Sequence, residues 1–343
     1  MRNGKQRRRV TMKEIARAAG VSVATVSNVL AGTGRCSAET RERVEAIIKE
    51  LGFVPDAAAR NLKRGRSGTL GVLFPTLGRP GRLENPFYWE FLSAVEAEAR
   101  QRGYHVLMAQ TELDDDLAFA IEQNLDGLII LGAYDDFPVV QRALALGVPV
   151  VLVDSYVDAP CLQVRIDDFG GGYLAARHLL ELGHRRVGLL TGARRDRGVS
   201  ALRAAGFRQA LEEAGVTLPP AWDLECDVSF EGARRTAGDL LDSPDPPTGL
   251  FASADTMACG VLAAARERGV AVPSALSVVG FDDVPLAQYT APPLTTVRQQ
   301  THRKGTEAVR LIAEGYVRGE WAPQVVQIGV ELVARGSTAA APL

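Results

Sequence analysis

Most of this sequence alternates between short apolar runs and longer amphipathic segments, and the alternation begins at Thr69. The apolar runs occupy residues 70–74, 105–108, 127–131, 148–153, 187–190, 250–252, 276–281 and 294–297. Helical stretches separate most of them, at residues 87–102, 170–182, 201–214, 256–269 and 301–317. Continuous apolar strands joined by crossover helices indicate parallel sheets that are covered on both faces. The pattern therefore predicts an α/β body that forms either one barrel or two doubly wound lobes.

The first part of the chain lacks this alternation and contains short helical segments instead. Thr11 and Glu14 have the spacing of a capping box, which begins a helix. Gly20 permits a tight reversal after two turns, and Ser22 can cap a second helix over residues 23–31. Two short helices joined by such a turn predict a helix-turn-helix, whose second helix fits a DNA major groove. The alternative is an ordinary pair of helices in a small bundle.

A third helix and a linker follow. Ser37 can cap a helix that ends near Leu51 and carries apolar side chains at helical spacing on one face. A helical segment over residues 56–63 is too short to be stable alone, and the glycines and serine of residues 64–68 are typical of a linker. Residues 1–10 are basic without an apolar pattern, so we expect a disordered arm there.

The charges divide the chain at the same place. Residues 1–66 carry 15 basic and 6 acidic side chains, a net charge of +9. The rest of the chain carries 24 basic and 35 acidic side chains, a net charge of −11, so the whole chain has a net charge of only −2. A basic segment beside an acidic body is typical of a nucleic-acid-binding domain. An architectural protein that binds DNA without discrimination would carry the same basic segment.

Several classes of protein are not expected. No apolar run reaches the roughly 18 residues of a transmembrane helix, and the basic N-terminal segment lacks the apolar region of a secretory signal. The cysteines are far apart, which predicts no zinc site or disulfide framework and fits a reducing cytoplasm; they are Cys36, Cys161, Cys226 and Cys259. Hydrolase, P-loop and zinc-protease motifs are absent, so we expect no enzyme, cofactor or metal.

Several segments together resemble one protein family. They begin with TMKEIARAAGVSVATVSNVL at residues 11–30, followed by ETRERVEAIIKELGFVP and AARNLKRGRSGTLGV. In the body they are NPFYWEFLSAVE, GHRRVGLLTG, LRAAGFRQAL, VVGFDD and PPLTTVRQ. The sequence is similar to the lactose/galactose-repressor (LacI/GalR) family of bacterial transcription regulators, and the similarity covers almost all of residues 10–336.

The resemblance implies a homodimer with a small all-α helix-turn-helix head and an α/β two-lobed, periplasmic-binding-protein-like body of parallel doubly wound sheets. A small-molecule effector, commonly a sugar, would bind between the lobes and release the protein from a pseudo-palindromic double-stranded operator. Regulators of the same fold that need a corepressor respond with the opposite sign. We place the head at 11–54, the hinge helix and linker at 55–68, the first lobe at 69–167 and 300–326, the second lobe at 168–299 and 327–337, and a tail at 338–343.

By the same resemblance, the second helix reads bases with Val23, Ala24 and Asn28. Asn28 can form two hydrogen bonds with adenine, whereas Val23 and Ala24 offer only apolar contact, for instance to thymine methyl groups. Hydroxyl side chains around the turn suit contacts with phosphates, and they belong to Thr11, Ser22, Thr25 and Ser27.

Leu62 matches the leucine of the family's hinge helix, which pairs with its dimer mate and opens a central base step from the minor groove. Lys63 follows it and is a further expected DNA contact. The alternative for Leu62 is a place in the core of the head. Because the hinge helix should form only on DNA, we expect linker order and DNA binding to be coupled.

One candidate effector segment, residues 85–88, opens a helix at the carboxyl end of a strand, the usual ligand position in open α/β sheets. Arg203 and Asp282 match positions from which the family binds polar groups of the ligand. Phe87 and Tyr88 could stack on a sugar or base ring, although they could also be core aromatics. Further candidates are Asp154, Asp167, Arg197 and Asp255. For Arg203 and Asp282 the alternative is an ordinary surface ion pair.

The chain departs from the family pattern near this site. Residues 77–84 form a longer loop and residues 112–123 are about one helical turn shorter, so we expect a reshaped rim on the first lobe. Val228 or Phe230 would fill a wall where many members have another aromatic residue. After Arg335 the tail contains no leucine heptad for a tetramer, which leaves a dimer as the expected assembly.

Overall fold

The computed structural model describes residues 10–30, 36–53, 66–75, 85–111, 117–134, 137–195 and 198–342. The chain forms two compact units, Met1–Ser67 and Gly68–Leu343. None of the described helices is long and apolar enough to cross a membrane.

Three helices form the described part of the first unit: α1 (Met12–Ala19), α2 (Val23–Leu30) and α3 (Ala38–Glu50). The predicted capping box is present, since the Thr11 amide donates to the Glu14 carboxylate at 2.8 Å and the Glu14 amide donates to the Thr11 hydroxyl. Gly20 ends α1 in the left-handed conformation, with φ of +67°. The core comprises Ile15, Ala16, Ala19, Val26, Val29 and Val44. The prediction of a helix-turn-helix is confirmed.

The second unit contains two sheets. The first consists of β1 (Thr69–Pro75), β2 (His105–Thr111), β3 (Gly127–Leu131), β4 (Val150–Val153), β5 (Leu162–Ile166) and β11 (Gln324–Ile328). Its order is β11-β5-β4-β3-β1-β2, and all neighbouring strands are parallel. The helices of this lobe are α4 (Pro86–Gln101), α5 (Ala118–Glu122), α6 (Pro138–Ala145) and α11 (Thr301–Arg318).

The second sheet consists of β6 (Val187–Thr191), β7 (Asp223–Glu225), β8 (Gly249–Ala252), β9 (Ser277–Asp282), β10 (Thr295–Arg298) and β12 (Glu331–Val333). Its order is β12-β10-β9-β8-β6-β7, with β12 antiparallel to β10 and the other pairs parallel. The helices of this lobe are α7 (Asp168–Glu181), α8 (Val199–Glu213), α9 (Phe230–Leu241) and α10 (Asp255–Glu267).

Helices cover both faces of each sheet. Since successive residues of a strand point to opposite faces, neighbouring residues pack against different helices. In β3, Ile129 packs with the core of α4 and α11, and Ile130 packs with that of α6. In β8, the ring of Phe251 stacks on Phe207 of α8 with centroids 5.4 Å apart, and Leu250 packs with α10. Of the two predicted architectures, the chain therefore adopts two doubly wound lobes and not a barrel.

Four of the strands were not predicted, and each has a physical reason. The sequence of β5 (LQVRI) and that of β11 (QVVQI) interrupt the apolar pattern with polar residues. The edge strands β7 and β12 contain only three residues each, none of them buried. The prediction also missed α5, α6 and α9, of which α5 has five residues and α9 contains two glycines.

The described chain passes between the lobes at residue 167, at residues 299–300 and at residues 329–330. The strand β11 stays paired with β5 as far as Ile328, beyond residue 326, where the first-lobe segment was expected to end. These crossings bring the carboxyl ends of β5 and β10 to the boundary between the lobes.

The small-residue tail docks on the second lobe. Ser337 is fully buried, and its hydroxyl donates to the Val278 carbonyl at 2.6 Å. The Ala339 carbonyl lies 3.1 Å from Nε2 of His184, which also contacts the Ser277 hydroxyl at 3.0 Å. The first residues after Gly336 are therefore held by a buried histidine.

Candidate functional site

Helix α2 has one buried side and one side that faces away from the core. Val26 and Val29 are buried, which fixes the rotation of the helix. On the other side, Val23 is 42% exposed and Ala24 is exposed as well. One turn further along, Ser27 and Asn28 are half-buried. The predicted base-reading residues therefore share a surface of α2.

Two of the predicted phosphate-contacting hydroxyls also cap helices. The Thr25 amide donates to the Ser22 hydroxyl at 3.0 Å, and the two hydroxyls lie 2.9 Å apart. Only one hydroxyl hydrogen is needed between this pair, so the other can reach a phosphate. The Thr11 hydroxyl, in contrast, donates to Glu14 at 3.1 Å. A phosphate contact from Thr11 would replace that bond.

Three predicted site residues lie outside the described residues: Leu62, Lys63 and Arg197.

The body brings charged side chains of both lobes together where strands end. Asp154 follows β4, Asp168 begins α7 directly after β5, and Asp282 ends β9. Arg203 extends from α8 and Lys304 from α11. With two polar neighbours these residues form what we call the cleft cluster: Asp154, Tyr156, Asp168, Arg203, Asp282, Gln299 and Lys304.

Arg203 holds three segments of the second lobe together. Its Nε donates to Asp168 at 2.7 Å, and its Nη1 donates to the Ser253 carbonyl at 2.6 Å and lies 3.8 Å from Asp282. The guanidinium carbon lies 3.5 Å from the centroid of the Phe281 ring, which adds a cation–π contact. Arg203 is 6% exposed, so it belongs to a buried network and not to a surface ion pair.

Lys304 holds two segments of the chain together in the first lobe, as Arg203 does in the second. Its Nζ donates to both carboxylate oxygens of Asp154 at 2.7 Å and to the side-chain oxygen of Gln299. The Gln299 amide in turn donates to Asp282 in the second lobe. A second bond between the lobes runs from the Tyr156 hydroxyl to Asp168, at 2.5 Å. The cluster therefore consists of two hydrogen-bonded groups, each of which joins both lobes, and the Arg203–Asp282 ion pair at 3.8 Å links them.

Strained backbone presents two of the carboxylates. Asp154 has φ of +50° and Asp282 has φ of +126°, and Asp283 follows with φ of +59°. Such conformations cost a non-glycine residue about 1–3 kcal/mol each. Two arginines hold Asp283 in place, Arg298 and Arg335, each at 2.6 Å. This geometry turns Asp282 towards Gln299.

Burial dominates the electrostatics of the cluster. It raises the pKa of Asp282 to about 7, although Arg203 and Lys304 act in the opposite direction. Burial likewise raises the pKa of the Asp168 carboxyl, and the charge of Arg203 opposes this. Burial and the neighbouring Asp168 raise the pKa of the Tyr156 hydroxyl, so it stays protonated and can donate.

Two predicted effector residues have other partners. Asp255 is fully buried and accepts hydrogen bonds from the Thr296 hydroxyl at 2.5 Å and the Val284 amide at 2.9 Å. Its burial raises its pKa well above the usual range. Asp167 is exposed, and its carboxylate accepts from the Gly170 amide at 2.8 Å as the cap of α7. In this structure Asp255 braces the segment after Asp282, and Asp167 caps the helix α7.

The predicted aromatic pair lies on the first lobe. Phe87 is 8% exposed, and its ring centroid lies 5.1 Å from Nζ of Lys304. Tyr88 is half-buried and packs edge-to-face on Phe74 and Phe87, with centroids 5.6 and 5.3 Å apart. Phe87 is thus a wall behind Lys304. On the second lobe, Val228 lies so close to Gly192 that a Cβ there would be 2.4 Å from its methyl group.

Sequence reasoning missed Tyr156, Asp168, Gln299 and Lys304. Asp168 stands beside the predicted Asp167, and local sequence does not distinguish the exposed helix cap from the buried first residue of the helix. Lys304 lies near the start of an amphipathic helix, where the sequence pattern predicts a solvated lysine. A clue for Gln299 was its place directly after the strand β10.

A helix-turn-helix unit and a two-lobed body with a polar network at its strand ends define a ligand-responsive DNA-binding regulator as the class of protein. Residues 11–56 match the bacterial regulatory proteins of the lacI family, and residues 176–338 match the periplasmic binding protein-like domain. The chain is 35% identical to the HTH-type transcriptional regulator DegA of Bacillus subtilis, over 96% of this chain and 98% of that protein.

Two solved structures support the same assignment. A Lac repressor dimer bound to operator and the anti-inducer ONPF has a TM-score of 0.84 at 28% identity, covering 97% of this chain and all of that one (100%). The complex of the transcriptional regulator CelR with cellobiose has a TM-score of 0.73 at 30% identity, covering 96% and 100%. The chain belongs to the lacI family of bacterial regulatory proteins and is a DNA-binding transcriptional regulator. DegA, CelR and the Lac repressor are regulators and not enzymes.

Proposed function

We propose that the chain is a homodimeric repressor that binds a pseudo-palindromic operator and leaves it when a sugar binds between the lobes. Helix α2 lies in the major groove, where Asn28 reads adenine and Val23 and Ala24 contact thymine methyl groups. The protein acts in the bacterial cytoplasm and is associated with the nucleoid when bound to its operator.

The exposed side of α2 is the observation that carries this proposal. Val23 remains 42% exposed although the helix buries Val26 and Val29. An exposed apolar residue on the side of α2 that also carries Ala24 and Asn28 suits contact with base edges better than contact with water. The net charge of +9 over residues 1–66 supplies the attraction to phosphates.

The hinge contribution rests on the resemblance of the segment around Leu62. In the dimer, the two Leu62 side chains open the central base step from the minor groove, and Lys63 contacts the backbone. The unstacking costs a few kcal/mol, which the additional contacts of the bent DNA offset.

The cleft cluster supports the effector part. Arg203 and Asp282 lie on the second lobe and Asp154 on the first, so a ligand that exchanged hydrogen bonds with them would contact both lobes. Phe87 forms the wall behind this network, and Tyr88 offers a half-buried ring at its side. The similarity to CelR bound to cellobiose supports a sugar as the ligand. Because a ligand shifts an equilibrium only by its differential affinity, the effector must bind more tightly to the pose that does not fit DNA.

Selection from a random DNA library, followed by fluorescence anisotropy with random competitor, tests the DNA-binding part. We expect an operator affinity at least about a thousandfold above that for random DNA. Asn28→Ala should lower operator affinity by about 1–3 kcal/mol and leave random-sequence affinity unchanged. Equal losses on both DNAs would remove Asn28 from base reading, and equal affinities of the wild type would favour an architectural protein.

Thermal-shift screening against sugars, nucleosides and organic acids identifies the effector class, since a ligand of the folded state stabilises by mass action. The active compound is then added to the operator complex. Release supports an inducer, and tighter binding would instead indicate a corepressor. Light scattering should give the mass of two chains, and a tetramer would contradict the assembly.

A further inference from the structure

The cleft cluster contains one lysine, Lys304, in addition to the residues that would contact an effector. Lys304 is fully buried, with 0% of its side chain exposed. A buried ammonium is costly unless its hydrogens are paired. Lys304 can donate three hydrogens, and three acceptors surround it: both carboxylate oxygens of Asp154 and the amide oxygen of Gln299.

The pairing changes what Asp154 offers to a ligand. Its side chain remains 10% exposed, so part of the carboxylate is accessible. Each oxygen already accepts one hydrogen from Lys304 at 2.7 Å and retains a further lone pair. The accessible part is therefore a hydrogen-bond acceptor whose negative charge is already balanced.

We infer that Lys304 is a specificity-determining residue of the effector cleft: it neutralises Asp154, so that this wall accepts a hydroxyl of a neutral ligand and rejects an amine. The inference rests on the proposed effector function. A hydroxyl donates to Asp154 without a change in charge. An ammonium group at the same place would be repelled by the ammonium of Lys304, and a second carboxylate would be repelled by Asp154.

The other carboxylates of the cluster do not offer a free charge either. Asp168 pairs with Arg203 at 2.7 Å and also accepts from Tyr156. Asp282 accepts from Gln299 and lies 3.8 Å from Arg203. An amine that entered the cleft would find each carboxylate already engaged, which favours an uncharged ligand.

The test compares matched ligands on the full chain by isothermal titration. The pairs are glucose with glucosamine and galactose with galactosamine, and the single probes are cellobiose, ribose and gluconate. The wild type should bind a neutral sugar at least about tenfold more tightly than the corresponding amine. Lys304→Met leaves Asp154 as an uncompensated carboxylate, so this preference should fall at least about tenfold or reverse.

Two variants serve as controls. Lys304→Arg keeps the positive charge and should keep the preference for the neutral sugar. The double variant Lys304→Met with Asp154→Asn removes both charges and should not gain affinity for the amine. Circular dichroism and cooperative unfolding verify that each variant folds, and Lys304→Gln replaces Lys304→Met if the latter does not.

The outcomes separate the two proposals. If neutral sugars bind the wild type and a folded Lys304→Met or Lys304→Gln variant keeps the same preference, the role of Lys304 is overturned and the sugar effector stands. If no probe binds the wild type, the sugar effector and the role of Lys304 both fail. Operator binding, measured separately, still decides whether the chain is a repressor.

Discussion

Arg203 donates from Nε to the carboxylate of Asp168 at 2.7 Å, and both side chains are buried. Arg203 comes from the helix α8, whereas Asp168 begins the helix α7, which follows the strand β5 of the other lobe. The pair connects the polar network to the point where the chain changes lobe.

Arg203→Ala should lower the free energy of unfolding of the body by about 3–5 kcal/mol, because it leaves Asp168 buried without its partner. The effector response should be lost as well. Arg208→Ala is the matched control, since Arg208 lies on the same helix but is exposed and pairs with Asp223 at 2.6 Å. Its cost should be below about 1 kcal/mol. Equal losses of unfolding free energy for the two variants in urea titrations would contradict the claim that the buried Arg203 pair stabilises the body more than an exposed pair.

Asp282→Asn should remove a pH dependence from stability. Burial raises the folded-state pKa of Asp282 from 3.8 to about 7, so the folded protein holds this proton more tightly than the unfolded chain. The stability from this group is therefore fully present below pH 3.8 and is lost as the pH rises through about 7.

The measurement is the free energy of unfolding of the wild type minus that of Asp282→Asn at several pH values. This difference should fall as the pH rises towards 7, by at most about 1.4 kcal/mol per pH unit. Subtraction cancels the contributions that the histidines and the other groups common to both proteins make to the free energy of unfolding. A difference that stays constant with pH would show that Asp282 does not titrate in this range.

His184→Gln should remove a pH dependence of stability that has the opposite sign. Burial lowers the pKa of His184 below 6.5 in the folded protein. The stability from the neutral ring is thus present above pH 6.5 and is lost as the pH falls through the folded-state pKa. The wild type should therefore lose more stability than the variant when the pH falls from about 7.5 to 5. This range extends on the order of a unit either side of the ordinary histidine pKa.

The exposed His302 offers a matched control, because His302→Gln makes the same substitution away from the buried tail contacts. Hydrogen exchange of the Ala341 amide, which donates to the Leu182 carbonyl at 2.9 Å, reports the docking of the tail directly. Protection of this amide that does not change with pH would separate the tail from His184.

Leu62→Ala should weaken operator binding much more than random-sequence binding, because only the specific complex contains an opened base step. Removing both wedges of a dimer should cost a few kcal/mol, about 100-fold or more in affinity. Anisotropy titrations on both DNAs measure the two losses. The exposed Leu51→Ala at the end of α3 is the control, and equal losses of Leu62→Ala on both DNAs would eliminate the wedge.

Local patterns were sufficient to predict much of this fold. The capping box at Thr11, the turn at Gly20 and the apolar periodicity of the helices depend on residues a few positions apart, so the sequence determines them directly. The eight apolar runs predicted eight of the described strands for the same reason, including the edge strand β2. The short edge strands were missed because their pairing depends on a neighbour that is distant in sequence, as between β11 and β5.

The candidate site was likewise predictable from the sequence only in part. Resemblance and position after a strand identified Arg203, Asp282 and Asp154, yet could not show which side chains they meet. The sequence by itself determined the type of each element and the separation of a basic head from an acidic body. Only the tertiary structure decided that Lys304 is buried against Asp154 across 150 positions of sequence, because burial of a charge depends on partners that the fold brings together and not on the local pattern.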